Sequence, residues 1–165
     1  MPFVSSTKDL DNLTLTLITE HGASPDRLWQ VWEDARQLER WWGPPTWPAT
    51  FTRHEFEPGG ESRYFMTGPD GERAYGWWRI TEVEAPRRLE FDDGFAGDDG
   101  EPLDRDDTTH TAVRLEETDG ITRMTSVATF KSLEQLEKLL AMGMEEGMRE
   151  AVGQIDGILA GQEVR

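Results

Sequence analysis

THTAVRLEETDGITRMTSVATFKSLEQLEKLLAMGMEEGMREAVGQIDGILA, residues 109–160, carries two structural periods back to back. Residues 109–117 and 121–130 alternate apolar and polar side chains around Asp119-Gly120, a pair suited to the tight turn of a β-hairpin. After Phe130 the period lengthens. Leu136, Leu140, Met144, Met148, Ala151, Ile155 and Leu159 recur at steps of three and four, which predicts one long amphipathic helix over residues 133–160. Ser132, with Gln135 three residues on, is a capping box for its start. Glu134, Lys138, Glu145, Arg149 and Asp156 form the opposite, polar face. Gly143 and Gly147 lie one turn apart beside the stripe. Each weakens a helix by about 1 kcal/mol relative to Ala, so they imply close backbone approach or space left beside the helix.

Upstream the hairpin pattern repeats. Residues 62–67 and 73–83 flank Gly68-Pro69-Asp70-Gly71. Residues 51–56 precede the turn Pro58-Gly59-Gly60, and Ala85-Pro86 turns the chain into residues 88–92. Leu13, Leu15 and Leu17 mark an earlier strand that Gly22 ends. Residues 1–8 carry no pattern and are expected to fray. Ser24-Pro25-Asp26 is a helix start: a capping hydroxyl, a proline at the first position and an acid at the positive end of the helix dipole. Leu28, Val31, Trp32 and Ala35 mark its buried face. A second short piece over residues 35–42 stops at Gly43-Pro44-Pro45. Strands joined by short turns predict an antiparallel sheet. The helices can bury their apolar stripes only against that sheet. Residues 92–107 hold seven Asp and one Glu and are expected to form a solvated, mobile flap.

The 165 residues predict one domain, over residues 9–162. Seven Trp and seven Phe argue against a disordered chain. A net charge of -16 repels nucleic acid and anionic lipid. With no cysteine in these residues, disulfides, thiolate catalysis and zinc-thiolate sites are excluded, and a reducing cytoplasm is the expected setting. Residues 1–11 lack the apolar run of a secretory leader, and no run of about 18 apolar residues predicts a membrane span.

The element order and four groups of residues together resemble the helix-grip fold of the START and birch-pollen-allergen superfamily. Ala23-Ser24-Pro25 with Leu28, Val31 and Trp32 is the first. Leu38-Glu39-Arg40-Trp41-Trp42-Gly43-Pro44 is the second, the most specific of them. The third is Phe56-Glu57-Pro58-Gly59-Gly60 with Gly68-Pro69-Asp70-Gly71. The fourth is Ile80-Thr81-Glu82-Val83 with Pro86 and Arg88-Leu89-Glu90-Phe91. Met142 to Met148 resembles the Gly-rich part of the final helix. Within the superfamily the chain is similar to the SRPBCC branch named after the C-terminal domain of the activator of the heat-shock-protein-90 ATPase. The resemblance covers residues 13–160. It implies an α+β fold in which a curved antiparallel sheet of about seven strands wraps a long C-terminal helix, with two short helices after the first strand. It says less about function, because one scaffold hosts ligand binders, cyclases and chaperone regulators.

The candidate site is therefore a cavity between sheet and helix. Trp41, Trp42 and Trp47 around the Gly-Pro-Pro corner either plug the core or line a pocket mouth. Tyr64, Met66, Tyr75 and Trp77 on neighbouring strands either pack the sheet or line the cavity. Met144 and Met148, with Gly147 leaving space, suit an adaptable apolar wall. His110 is a polar candidate on that wall. His21, His54 and His110 have no metal-ligand spacing, and there is no phosphate loop, dinucleotide fingerprint or nucleophile elbow, so neither cofactor nor metal is expected. The expected function is binding of a small, largely apolar or aromatic molecule in a pocket of about 300–1,000 Å³. An enzyme on the same cavity, polyketide cyclase- or dehydratase-like, is the alternative; Arg63, Arg79, His110 and Glu55 are its polar raw material. A protein-interaction or chaperone-regulating module is the third reading. Neither nucleic acid nor membrane is an expected partner, and a homodimer is left open.

Overall fold

The structure, a computed structural model, describes residues 3–162. Eight strands form one antiparallel sheet in the order β1-β2-β8-β7-β6-β5-β4-β3. They are β1 (Phe3–Asp9), β2 (Thr14–His21), β3 (Ala49–His54), β4 (Glu61–Thr67), β5 (Arg73–Glu84), β6 (Arg88–Ala96), β7 (Thr109–Thr118) and β8 (Ile121–Thr129). Two short helices, α1 (Pro25–Glu33) and α2 (Ala35–Leu38), follow β2. The helix-grip α+β class holds. The strand beyond the expected seven or so is β1: residues 3–8 do not fray but pair with β2 along the sheet edge.

The local reasons are those of the sequence. Ser24 Oγ accepts from the Arg27 backbone N–H at 3.2 Å and Pro25 opens α1. Extended Asp34 ends α1, and its Oδ1 then accepts from Arg36 N–H at 3.0 Å to start α2. The two helices seat Leu28, Val31, Trp32 and Leu38, all 2% exposed or less, on the inner face of the sheet. There Trp32, Trp41, Trp42, Trp78 and Phe91 form one aromatic cluster; Trp78 and Phe91 stack at 4.2 Å.

The C-terminal helical region keeps its stripe but is not one helix. It runs as α3 (Leu133–Ala141), α4 (Met144–Val152) and α5 (Ile155–Gln162). Gly143 has φ +89°, and its N–H donates to Leu140 O at 3.0 Å. That left-handed residue cannot continue an α-helix, and with a Cβ it costs about 1–2 kcal/mol. Gly147, inside α4, would place a Cβ with nothing within 4 Å. The two glycines thus do different things, which a pair of melts should show. Gly143→Ala should destabilise by about 1 kcal/mol, whereas Gly147→Ala should stabilise by up to about 1 kcal/mol. Equal gains from both would restore the unbroken helix.

Two residues of the expected polar face turn inward. Glu145 accepts from Ser6 Oγ and lies 3.5 Å from Lys8 Nζ, both on β1. Asp156 accepts from Nδ1 of buried His21 at 2.8 Å.

The acidic segment is also different from expectation. β6 runs on to Ala96, and residues 97–108 lie fastened on the outer face of the sheet. Arg63 donates to Gly100 O at 3.0 Å and Glu101 at 3.1 Å. Arg105 reaches Glu61 at 3.1 Å, and Gln135 reaches Asp107 at 3.0 Å. Leu103 N–H bonds Phe95 O, and Ala96 bridges Pro102. Under this strap Trp77 is fully buried, with the Arg79 and Arg105 guanidinium groups 5.5 and 5.1 Å from its ring. Trypsin should therefore cut slowly after Arg105 in the intact chain and faster in Arg63→Ala. Equal rates would mean that Arg63 does not hold the strap.

Candidate functional site

A narrow cavity lies between the inner face of the sheet and α4. Its floor is Leu15 and Leu17 of β2, Thr111 of β7, and Ser126 and Ala128 of β8. Its roof is Met144, Glu145 and Met148, and Trp42, Asp93 and Ser6 close it. Its volume is about 20 Å³, room for about one water molecule on the scale where ~10–15 Å³ suffices. The expected open pocket of about 300–1,000 Å³ is absent from this closed arrangement.

Register decides which candidate residues reach the cavity, because directly paired residues share a face. Tyr64 pairs with Gly76, Met66 with Ala74 and Ser62 with Trp78. Phe65 pairs with Tyr75 and Arg63 with Trp77. Tyr64, Met66 and Trp78 thus face inward, and Tyr75 and Trp77 outward. Tyr75 meets Phe65 at 5.7 Å on that outer face. His110 pairs with Asp92, also outward, with Nδ1 and Nε2 each 2.8 Å from the carboxylates of Asp92 and Glu90. Burial opposes charge on its ring, but hydrogen bonds to Asp92 and Glu90 prevail and raise its pKa. Tyr75, Trp77 and His110 are therefore not cavity residues.

The tryptophans divide. Trp42 lines the cavity. Trp41 is core: it is 1% exposed, donates to Val31 O at 2.9 Å and stands edge-on to Trp32 at 4.8 Å. Trp47 covers the β4–β5 turn, where a Cβ on Gly68 would come within 2.7 Å of its ring. Met66 packs against the main core rather than the cavity. Met144 and Met148 line the cavity; Gly147 does not. The polar raw material also lies elsewhere. Arg63 and Arg79 hold the strap, and Glu55 is an exposed partner of Arg53.

The chemistry comes from Asp93, which the sequence reading left in the flap. It neighbours Trp78 on β5 and Thr109 on β7, and Thr109 Oγ1 donates to its Oδ1 at 3.0 Å. Burial pushes its carboxyl up to about 6; the Thr109 hydrogen bond opposes the rise and the Asp92 charge adds to it. Tyr64 lies close by, its ring directly over Gly76, where any Cβ would fall 2.4 Å from the phenol. Burial first, and then the Asp93 charge, raise the Tyr64 pKa so that the phenol stays neutral. The indoles of Trp42 and Trp78 stand edge-on to it with centroids 6.2 and 6.3 Å away. Their N–H groups approach the phenol oxygen without completing a hydrogen bond.

His54 is a structural joint. Its Nε2 lies 2.8 Å from Trp32 O and its Nδ1 2.7 Å from Ser62 Oγ. A carbonyl only accepts, so Nε2 is assigned the proton and Nδ1 the role of acceptor from Ser62. Burial lowers the pKa of His54.

Residues 22–160 match the model of the family described as activator of Hsp90 ATPase homolog 1-like protein. A protein of Arthrobacter aurescens solved by solution NMR is 55% identical, covering 96% of this chain and 92% of its own, with a TM-score of 0.91. Crystalline protein Ms6760 of Mycobacterium smegmatis is 45% identical, covering 98% and 99%, with a TM-score of 0.89. A Staphylococcus epidermidis protein at 23% identity, covering 96% and 95%, shares the fold with a TM-score of 0.83. No curated protein matches.

Proposed function

Since the chain belongs to the activator of Hsp90 ATPase homolog 1-like family, we propose that it binds a small, largely apolar molecule between the sheet and α4. The observation that carries this reading is the under-filled, mainly apolar space beneath α4, the place where members of this family commonly hold hydrophobic ligands. The closed cavity admits a ligand only when α4 lifts. That segment ends at left-handed Gly143 and at Gly153, and Met144 and Met148 are side chains that repack readily. No helix among the described residues is long and apolar enough to cross a membrane, and the proposed setting is the cytoplasm.

Native mass spectrometry of protein taken from its own host should show a retained small molecule. The emptied protein should brighten an apolar fluorescent dye, and added ligand should displace that dye. A chain that always leaves its host bare and leaves the dye dark would overturn the reading.

A second reading, an enzyme on the same cavity, has one observation in its favour. Asp93 titrates at about 6, where a carboxyl can both take and give a proton near neutral pH. It requires that the wild-type chain, and not Asp93→Asn, speeds solvent-deuterium incorporation beside the carbonyl of an added aromatic ketone.

A further inference from the structure

The cavity reading can be taken one step further, and this step rests on it, by asking which polar atoms at the cavity go without partners. Trp42 Nε1 and Trp78 Nε1 are buried donors with no acceptor among the described residues, in side chains belonging to residues only 7% and 0% exposed. Buried polar atoms without partners are rare in folded proteins. Asp93 receives one hydrogen bond, at Oδ1 from Thr109. Its Oδ2 has no donor among the described residues, and its side chain lines the cavity beside Trp42. Two free donors and one free acceptor thus meet at the same end of one cavity.

We propose that this end receives a phenol- or enol-type hydroxyl, whose O–H donates to Asp93 and whose oxygen accepts from the indoles of Trp42 and Trp78. A hydroxyl offers one donor and two acceptor lone pairs, the complement of what is unpaired. An ammonium group would satisfy Asp93 and leave both indoles orphaned. A carboxylate would satisfy the indoles but set its charge against that of Asp93. A ketone would satisfy the indoles and leave the Asp93 carboxylate bare. The walls favour a flat ring: Trp42, Trp78 and Phe91 stand 4.2 to 6.3 Å from one another and present aromatic faces and edges. A trapped water carries the same donors and acceptors, so the test must separate a ligand hydroxyl from water.

Three ring compounds of similar size do so: phenol, anisole, in which a methyl replaces the hydroxyl hydrogen, and toluene. Binding is followed on the full chain through the ¹⁵N–¹H signals of the indoles, assigned with Trp42→Phe and Trp78→Phe. Phenol should bind at least tenfold more tightly than anisole or toluene and should shift both indole signals. Asp93→Asn, and independently Trp42→Phe, should reduce that preference severalfold while leaving toluene affinity nearly unchanged. If one variant fails to fold, the other carries the comparison. Equal affinity for all three rings would mean that water satisfies the polar end; the hydroxyl inference would fall and the apolar cavity would stand. No binding of any ring to folded protein would remove the cavity reading and this inference together.

Discussion

Ile155→Ala should cost about 2–5 kcal/mol in denaturant melts, the range for removing a buried large aliphatic side chain. Ile155 is fully buried, and α5 packs it into the main core beside α1. Leu136→Ala should fall in the same range for an independent reason. Leu136 is also fully buried, but in a second cluster with Leu15, Ala128 and Phe130 at the other end of the helical region. Leu140 is only partly buried against that second cluster, so Leu140→Ala should cost about 1–2 kcal/mol. Losses below about 0.5 kcal/mol for Ile155→Ala and Leu136→Ala together would mean that the C-terminal stripe does not seat on the sheet, since surface changes stay within that limit.

That stripe was legible because its phase survives the breaks. The steps from Leu140 to Met144 and from Ala151 to Ile155 are both four residues, as in an unbroken helix. Apolar spacing therefore could not reveal that α3 stops at Ala141 or that α4 stops at Val152. Only the left-handed backbone of Gly143 marks the first stop, and a glycine in a sequence does not state its φ. The polar face failed differently. Periodicity assigns Glu145 and Asp156 to solvent, yet each meets a polar group of the sheet, Ser6 and Lys8 for one and His21 for the other. β1 was missed because an edge strand can be held by the open backbone of β2 without an apolar pattern of its own.

The candidate site was half legible for a comparable reason. Trp42, Met144 and Met148 were found because large apolar side chains near the right elements tend to face the core. Tyr75 and Trp77 were misplaced because cross-strand register was unknown: with Trp77 opposite Arg63, an outward residue became fully buried under the strap. Asp93 was lost to composition, since seven nearby Asp made residues 92–107 read as solvated. A signal was present all the same. Leu89, Phe91 and Asp93 keep period two, and extending the strand by one residue beyond Asp92 would have put Asp93 on the buried face.

Asp93→Asn should make the protein more stable at pH 8 and change its stability little at pH 3. In the wild-type chain burial raises the carboxyl from 3.8 to about 6. A group with a raised folded pKa contributes its full stability below the unfolded value and loses it as pH rises through the folded value. Above about pH 6 the folded chain thus holds a buried carboxylate with a single hydrogen bond, from Thr109. A rise of about two units at roughly 1.4 kcal/mol each sets the cost at about 1–3 kcal/mol. The carboxamide keeps the shape and an acceptor for Thr109 without the charge, so the variant should gain that amount. His54 works in the opposite sense. Burial lowers its pKa, so the fold weakens as pH falls through about 6.5, the unfolded value. The wild-type profile is the sum of both trends and can look flat near pH 6. Subtracting it from the variant profile cancels His54, which both share, and leaves Asp93 alone. The difference should be near zero below pH 4, grow between about pH 4 and 6, and level off above. A flat difference across that window would show that Asp93 is solvated, and the polar end of the cavity would lose its acceptor.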